Sequence, residues 1–515
     1  MSTHPIRPAR RSAPSAAAIL LLCAAALLPA CRSGDKPGLF AGLRRQPAPA
    51  PATGIAIDGR FEDWPAGVAT TADADWIYFK VTLPGNAAPL QANVETLALW
   101  LDADGSPATG AAMTAPAEAA GLGVDLFAEF SPPGEKPGDA PRRGVAVYAA
   151  DAGGRHLRIP SAEARVLGSP TFAADTFEIR LSRRIDPAAA PDLARLLSGR
   201  ARAKAMFALV DEGGTLKGWS DVETFQLPAS TAEPSLSDAE LPAKPAGAIR
   251  ILSWNVLNGA LTKDPNPFAR IIQVLDPDII LFQEWPTDAA TAQAWFTATV
   301  TGEKTWNAWA APGDRAVVVV SQHPLASLGP HSISLGGDTD GRATPVRFAA
   351  ATIQTPAGPV AVGSLHLKCC GTAGSSEDTR RVNEAQAINA AMNPAFAQAA
   401  APIRILAGDF NLVGTRTPLD TLAEALDADG SALEVAHTPV LGDAAVYTWS
   451  DANTEFPDGR LDYALYSDAS ADLIHAFILD NRRLSDRALA KLGLDRDDTA
   501  VSDHFPLVLD LMPKP

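Results

Sequence analysis

The hydrophobic and polar positions of residues 249–513 alternate between short apolar runs and stretches of helical period. The runs "RILSWNV" and "IILFQ" are typical of buried strands, and "NPFARIIQVLD" between them has apolar residues at helical spacing. Further along, "RAVVVVSQHPL" and "RFAAATIQTPAGPVAVGSLHL" predict strands, and "EDTRRVNEAQAINAAM" predicts a helix. Alternating strands and helices predict an α/β (α+β) region.

Residues 54–228 have a different pattern, with many short strand-like runs and no long helical period. These runs include "DWIYFKVTL", "VETLALWLDAD", "GVAVYAA" and "DTFEIRLS", with Gly, Pro and Asp turns between them. The pattern predicts an all-β sandwich. Residues 229–248 are rich in Pro, Ala, Ser and acidic residues and predict an interdomain linker. We therefore expect a fragment from about Ala248 onward to fold alone.

The N-terminus has the pattern of a targeting segment. Basic residues precede an apolar run, Ala16 to Leu28, which is too short to span a bilayer as a mature helix. The run ends in "LPAC", which resembles a bacterial lipobox. We predict a lipoprotein signal peptide over 1–30, lipidation of Cys31, and a Pro/Ala-rich tether over 31–53. The protein would then be extracytoplasmic and lipid-anchored to a bacterial membrane, in the periplasm or at the cell surface; the alternative is an ordinary secretory signal.

The composition and charge of the chain limit the class of protein that it can be. The 515 residues are 47% hydrophobic and 20% charged, which is typical of a globular chain, and the net charge is −16. Such a charge opposes undirected coating of nucleic acid. The chain has four cysteines, which excludes a disulfide framework. Cys369 and Cys370 are adjacent, and the sequence leaves open whether they form a vicinal disulfide or remain free thiols.

Polar residues that suit metal binding or acid–base chemistry stand at the ends of the predicted strands. Asp409 and Asn411 follow the apolar run "ILAG", and residues two apart in a strand share a face. Each residue alone has an ordinary explanation as a loop or turn residue. Their repetition at successive strand ends predicts one shared site. The members are Asn255, Glu284, His366, Asp409, Asn411, Asp462, Asp503 and His504.

Six short motifs carry this pattern: "SWNV", "FQE", "SLHL", "GDFN", "RLDYAL" and "SDHFPL". Together they resemble the endonuclease/exonuclease/phosphatase superfamily, and the resemblance covers nearly all of 249–513. It implies a four-layer sandwich of two mixed β-sheets flanked by helices. It also implies a phosphoesterase that uses Mg²⁺ (or Mn²⁺). One departure is Leu257, because some abasic endonucleases of the superfamily carry an aspartate there.

The resemblance implies a role for each site residue. Glu284 would be the principal metal ligand, assisted by Asn255 and Asp503, because hard divalent ions prefer oxygen donors. Asp409 would orient and deprotonate the attacking water, and Asn411 would donate to a phosphate oxygen.

The two histidines are also given roles by the resemblance. His504 would contact the scissile phosphate and stay cationic through Asp462, since a neighbouring carboxylate raises a histidine's pKa. His366 would be a second donor or the acid for the leaving group.

The first region has a resemblance of its own. "IDGRFEDWP", "DADWIYFKV" and "LWLDADGSPATG" resemble the family 9 carbohydrate-binding modules and related DOMON-like β-sandwiches. The resemblance implies a possible polysaccharide ligand. Asp102 and Asp104 next to the Gly105 turn are candidate Ca²⁺ ligands, and the alternative is a polar turn without an ion.

The leading functional prediction is a divalent-metal-dependent phosphoesterase that hydrolyses nuclease-like phosphodiesters outside the cytoplasm. The first alternative is a phospholipid or inositol-phosphate phosphoesterase similar to sphingomyelinases. The second is a surface carbohydrate-binding protein with an inactive phosphoesterase-like domain. No predicted site residue is missing, which disfavours the second alternative.

Overall fold

The computed structural model describes residues 4–5, 7–8 and 54–514, with gaps at 137, 152, 154, 231–234, 301, 303, 312–315 and 338–342. Most of the predicted signal peptide, Cys31 and the tether therefore lie outside the described residues. Strands His4–Pro5 and Arg7–Pro8 pair with the sandwich strands Trp76–Thr82 and Leu216–Trp219. Among the described helices, none combines the length and apolarity needed to cross a membrane.

Residues 54–228 form a sandwich of two mainly antiparallel sheets, as the sequence predicts. The smaller sheet contains Thr70–Ala72, Trp76–Thr82, Leu167–Ser169 and Thr176–Ser182. The larger contains Thr96–Asp102, Leu126–Phe130, Val145–Ala150, His156–Ile159, Ala201–Val210, Leu216–Trp219 and Glu223–Leu227. A short pair, Ala111–Ala112 with Gly123–Val124, and helices Ser161–Ala164 and Pro191–Ser198 complete the region. Phe79 of one sheet packs on Phe207 of the other, with ring centroids 5.7 Å apart.

Residues 249–513 contain two mixed sheets. The first has the strand order Asn307–Ala310, Ala316–Ser321, Ile279–Trp285, Ile249–Asn255, Leu507–Pro513 and Ala471–Ile478. The second has the order Leu325–Ser327, Ala343–Thr355, Gly358–His366, Ile403–Asp409, Asp462–Tyr466 and Glu434–Val435, with Ile333–Gly337 paired to Ala343–Thr355. One strand pair in each sheet is parallel, and the neighbouring pairs are antiparallel.

Helices cover the outer faces of the two sheets. Pro265–Leu275, Ala289–Thr299 and Asp486–Leu492 pack on the first sheet, and Ser376–Gln398 and Thr417–Ala423 pack on the second. The inner faces share one apolar cluster, in which Ile251 and Leu281 of the first sheet meet Val362 and Ile405 of the second. The predicted four-layer α/β/β/α arrangement is confirmed.

The sandwich and the four-layer region share part of their core. Ile55, Ile57 and Trp64 belong to the same buried cluster as the inner faces of the two sheets. Ile57 also pairs with Ala445, because its N–H donates to the Ala444 carbonyl at 3.0 Å. A shared core argues against our expectation that residues after Ala248 fold alone, since the fragment would expose these apolar contacts to water.

The described part of the predicted linker lies against the four-layer region. Ser237 N–H donates to the Arg483 carbonyl at 2.9 Å. Lys244 Nζ lies 3.1 Å from Asp278 Oδ1, and the Pro242 carbonyl accepts a bond from Arg250. This Pro- and Ala-rich segment is therefore bound along the four-layer region and does not hang free between the two regions.

Candidate active site

Four charged or titratable side chains lie in a row across the second sheet. The strand register places Arg347 beside His366, His366 beside Asp409, and Asp409 beside Asp462. Residues directly opposite each other on neighbouring strands direct their side chains to one face, so the row forms a continuous polar surface. Gly408 is required just before Asp409, because a Cβ there would lie 2.0 Å from the Leu365 carbonyl oxygen.

Asp409 is the centre of the site. Its side chain is 2% exposed and accepts bonds from the Asn411 N–H at 3.0 Å and the Asn255 amide at 3.2 Å. His366 Nε2 and His504 Nε2 lie 3.3 and 3.7 Å from Asp409 Oδ2. Burial raises the pKa of Asp409 to about 7; cationic His504 opposes this rise, and the Asp462 carboxylate adds to it. A carboxylate with a pKa near neutrality suits proton transfer from water.

His366 is held as a neutral donor. Arg347 Nη1 lies 2.9 Å from His366 Nδ1, and a guanidinium can only donate, so Nδ1 must accept. The proton therefore lies on Nε2, which faces Asp409 Oδ2 at 3.3 Å and Glu284 Oε1 at 4.0 Å. A neutral imidazole with its proton directed into the site favours the predicted donor role over the predicted leaving-group acid.

His504 is held as a cation. Its Nδ1 lies 2.7 Å from Asp462 Oδ2, and its backbone carbonyl accepts a bond from Trp254 Nε1 at 2.9 Å. Burial by itself lowers the pKa of His504, but the carboxylates of Asp462 and Asp409 outweigh it and raise that pKa to about 10. The predicted Asp462–His504 pair is thus present, with the charge that phosphate binding requires.

Glu284 lies at an irregularity of the first sheet. The register with the neighbouring strand shifts between Phe282 and Trp285, and Glu284 has a φ of 58°. Such bulges and left-handed residues re-aim side chains near functional sites. Glu284 Oε2 accepts the Asn258 N–H at 2.7 Å, and the residue lines the cleft together with Asp409 and His504.

The predicted metal ligands offer suitable oxygen atoms. Asp503 Oδ2 accepts the Trp449 indole N–H at 2.9 Å, whereas Asp503 Oδ1 is buried without a hydrogen-bond partner. A buried carboxylate oxygen without a donor is costly unless a cation contacts it. An oxygen of this kind suits a divalent ion, and Glu284 lines the same cleft. Asn255 Oδ1 already accepts the Leu257 N–H at 3.1 Å, so a further contact would use its second lone pair.

Another set of possible ligand atoms belongs to Asp409, Asp462 and His504, which all lie within 4.8 Å of one another. The His504 ring is cationic and bonded to Asp462 in this arrangement. A protonated imidazole has no lone pair for a metal, which disfavours this set, and metal binding by Glu284, Asn255 and Asp503 stays a prediction.

Asn411 lines the cleft beside Asp409 with a φ of 50°. Its amide donates to the Leu367 carbonyl at 3.2 Å, which leaves one amide hydrogen to bind a substrate oxygen. The structure thus brings seven of the predicted residues into the cleft or into the row of side chains across the second sheet. Asn255 contacts this group through its bond to Asp409. The seven are Glu284, His366, Asp409, Asn411, Asp462, Asp503 and His504.

Two residues that the sequence did not single out complete the arrangement. Arg347 determines the tautomer of His366, and Trp449 orients Asp503. The only signal for Arg347 was its place in a strand-like run, and the sequence gives no pairing register. Trp449 lies in a loop and gave no signal.

Other motif residues are hydrogen-bonded to one another, within the first sheet and between the two sheets. Gln283 of "FQE" donates to Ser364 Oγ of "SLHL" at 3.0 Å, and Ser364 donates to the Phe282 carbonyl at 3.0 Å. Ser502 of "SDHFPL" donates to the Asn255 carbonyl at 2.8 Å. These buried bonds fix the separation of the strand ends that carry the catalytic groups.

The predicted calcium residues lie at a turn of the sandwich. Asp102, Asp104 and Asp125 have carboxylate oxygens within 4.8 Å of one another. Backbone N–H groups donate to each carboxylate, and Lys204 Nζ lies 3.5 Å from Asp102. These donors satisfy the acids without an ion, so Ca²⁺ binding here stays a prediction.

Cys369 and Cys370 are free thiols in the structure and border the same cleft, with their sulfur atoms 2.9 Å apart. In the four-layer region, Trp285 and Trp306 are buried in the core, at 0% and 2% exposed. Trp64 and Trp100 of the sandwich are also buried, at 6% and 7%. These two residues therefore offer no exposed ring on which a sugar could stack, and the polysaccharide ligand stays a prediction.

Comparison with solved structures found several similar folds. The human Nocturnin catalytic domain with bound sulfate is 17% identical and covers 53% of this chain and 97% of its own, with a TM-score of 0.34. The 3′ phosphatase NExo from Neisseria, bound to a product DNA hairpin, is 17% identical, covers 51% and 98%, and has a TM-score of 0.34. ANGEL2, a 2′,3′-cyclic phosphatase in complex with adenosine-2′,3′-vanadate, is 13% identical, covers 53% and 99%, and has a TM-score of 0.35.

A search of the curated proteins found no match. A family model does match, and its span includes every residue of the predicted site: residues 252–504 of this chain match the Endonuclease/Exonuclease/phosphatase family.

Proposed function

We propose that this protein is a divalent-metal-dependent phosphoesterase acting on nuclease-like phosphodiesters. The observation that carries the proposal is the arrangement around Asp409. A carboxylate with a pKa near 7 lies between a neutral N–H donor, His366, and a cationic donor, His504. One base and two donors meet the needs of phosphate-ester hydrolysis, in which a water is activated while charge on the phosphate oxygens is stabilised.

Each side chain of the site has a separate role in the proposed reaction. Asp409 accepts the proton of the attacking water. Cationic His504 binds a phosphate oxygen and is kept protonated by Asp462, while the His366 N–H and the Asn411 amide donate to the same phosphate group. A bound Mg²⁺ or Mn²⁺, held by Glu284, Asp503 and Asn255, would neutralise charge on the phosphate oxygens.

Two variants separate the metal role from the histidine role. Glu284→Gln should raise the Mg²⁺ concentration needed for activity, and excess Mg²⁺ should recover part of the rate. His504→Ala should lower kcat by about 10²- to 10⁴-fold without recovery at high Mg²⁺. His475→Gln is a matched control, since His475 pairs with Asp510 at 2.8 Å outside the cleft and should keep full activity.

The substrate branch is tested by one panel. DNA, RNA, sphingomyelin and inositol phosphates are incubated with the full chain, with and without Mg²⁺ or Mn²⁺. Hydrolysis of the nucleic acids or their small esters supports the proposal, and selective hydrolysis of sphingomyelin or inositol phosphates would move the enzyme to the alternative branch. Absence of turnover on the whole panel would leave the inactive binding protein as the better description.

We also propose that the enzyme is anchored outside the cytoplasm through lipidated Cys31. Support comes from the basic, apolar and "LPAC" segments of the sequence. Cys31→Ala should release the protein from the membrane fraction or leave a precursor of higher mass. If membrane partitioning and mature mass both stay unchanged, the anchor lies elsewhere.

A further inference from the structure

The cleft above Asp409 is built by both regions of the chain. Its volume is about 510 Å³. One part of the lining comes from the catalytic strand ends, including Glu284, Asp409 and His504, and another comes from the sandwich, including Gln91 and Arg143. The sandwich is therefore a wall of the active site as well as a neighbouring domain.

Bonds to the catalytic loops fix this wall in place. Ala173 N–H donates to the Gly414 carbonyl at 2.7 Å, three residues beyond Asn411. Thr372 Oγ1, in the loop that follows His366, donates to the Ala92 carbonyl at 3.0 Å. The sandwich is thus hydrogen-bonded to the loops that follow Asn411 and His366, and these short bonds set the distance between the two walls.

A third contact connects the wall to the loop that contains Phe456. Val145 N–H donates to the Glu455 carbonyl at 2.7 Å, and the neighbouring Gly144 N–H donates to the Gln91 carbonyl at 2.8 Å. Phe456 and Gln91 both line the cleft. These bonds hold the two backbone positions that directly follow Arg143, so the wall backbone at this point is fixed.

Arg143 has the features of an anion-binding side chain. It is exposed, and its Nη1 donates to the Gly371 carbonyl at 3.4 Å, which places the side chain at the cleft edge. Among the described residues that line the cleft, it is the only arginine or lysine, and the other charged groups are the acids and histidines of the site and Asp458. An arginine offers five N–H donors in a planar fork that matches a phosphate or carboxylate.

Resting on the proposed phosphoesterase function, we propose that the sandwich is the substrate-selecting wall of this active site and that Arg143 binds a second anionic group of a nucleotide-sized phosphoester. The catalytic histidines and the metal ligands hold the reacting phosphate. An arginine on the facing wall therefore meets a different part of the substrate.

The size and charge of the cleft agree with this class of substrate. Small-molecule sites have volumes of about 300–1,000 Å³, and this cleft lies within that range. Internal sites of duplex DNA are bound by open, strongly basic faces that contact many phosphates. Here the sandwich bounds one side of the cleft, and the chain carries a net charge of −16. Both features disfavour binding to internal sites of duplex DNA.

A matched pair of substrates tests the proposal. One is thymidine 5′-(p-nitrophenyl phosphate), and the other is the same ester with an added 3′-phosphate. Arg143→Ala in the full chain should raise KM for the second ester by about 10- to 100-fold, since a hydrogen bond to a charged group contributes on that scale. The change in kcat should be smaller than the change in KM, and Arg143→Lys should recover part of the loss.

The controls separate this proposal from the function on which it rests. Arg142→Ala removes the neighbouring exposed arginine, which bonds the Pro133 carbonyl and does not line the cleft, and should behave as wild type. Equal KM changes for both esters would overturn the second-anion role, and rapid nicking of supercoiled plasmid would overturn the size limit. If wild type cleaves neither ester, calorimetric binding of thymidine 3′,5′-bisphosphate still decides: binding weakened by Arg143→Ala supports the wall, and unchanged binding overturns it.

Discussion

Replacing Asp443 with asparagine should weaken the attachment of the sandwich to the catalytic region. Arg180, on sandwich strand Thr176–Ser182, makes two bonds of 2.5 and 2.8 Å to the Asp443 carboxylate. The side chains are 1% and 8% exposed, and the Trp76 ring lies 4.0 Å from the guanidinium. Asparagine preserves size and removes the charge, so the Arg180 cation stays buried without its main counter-charge.

The structure sets the size of the effect. Removing one partner of a buried ion pair costs about 3–5 kcal/mol. With a urea slope of about 3 kcal/mol/M, the unfolding midpoint should fall by about 1 M or more. Arg180→Met should cost less than Asp443→Asn, because Asp443 keeps a second partner, Arg483 Nε, at 3.2 Å. The order of the two variants is a consequence of the asymmetric surroundings of the pair.

The pH dependence gives a second check. Burial opposes ionisation, but Arg180 outweighs it and holds the pKa of Asp443 well below its usual range. A carboxyl whose folded pKa is depressed stabilises the fold above its unfolded pKa, and this stability is lost as the pH falls below about 4. The difference between wild type and Asp443→Asn should therefore be full at neutral pH and shrink in acid.

Urea unfolding followed by tryptophan fluorescence measures both effects. Asp420→Asn is the matched control, because Asp420 pairs with Arg416 at the surface, with side chains 59% and 54% exposed. Such exposed pairs contribute about 0–1 kcal/mol. If Asp443→Asn unfolds at the same urea concentration as Asp420→Asn, the buried interface between the two regions does not contribute as argued here.

Three further predictions concern the chemistry. Asp462→Asn should lower kcat in the direction of His504→Ala but less severely, with Mg²⁺ dependence unchanged in a metal titration; a shifted metal requirement would contradict the assigned roles. Arg347→Met should release the Nδ1 atom of His366 and lower kcat by about 10-fold or more, whereas Arg347→Lys should recover part of it; wild-type rates in both would show that the tautomer is set elsewhere. Millimolar Ca²⁺ should raise the melting temperature if Asp102 binds the ion, and Asp102→Asn should abolish that rise. If the wild type shows no rise, the segment is a polar turn that binds no ion.

The fold of the four-layer region was predictable because its local signals agree. The apolar runs at "RILSWNV" and "IILFQ" became the central strands Ile249–Asn255 and Ile279–Trp285, and the helical period between them became Pro265–Leu275. The motifs then located the strand ends. Local pattern and motif pointed to the same architecture, which is the condition under which sequence reasoning succeeds.

The relation between the two regions was not predictable from the same kind of pattern. Residues 229–248 have the composition of a free linker, yet their described part is bound along the four-layer region. Ile55 and Ile57 lie before the strand Thr70–Ala72 and look like ordinary apolar residues, but they join the buried cluster that contains the inner faces of the two sheets. Such contacts join residues about 400 positions apart, as in the pairing of Ile57 with Ala445, and no local period encodes them.

The predicted histidine roles show what geometry adds to a motif. The sequence placed His366 and His504 at one site, predicted that Asp462 keeps His504 cationic, and left His366 as a second donor or as the acid for the leaving group. Arg347 beside one ring and Asp462 beside the other make them different: one is neutral with its proton on Nε2, and the other is cationic.

In the proposed mechanism, this difference between the two histidines preserves Asp409 as the base. Two cations beside Asp409 would lower its pKa and weaken it as a proton acceptor, whereas two neutral rings would leave a bound phosphate without a charge partner. One of each supplies a charge for the phosphate and lets burial keep the pKa of Asp409 near 7. The strand register that places Arg347 beside His366 is therefore as much a part of the catalytic arrangement as the residues in the motifs.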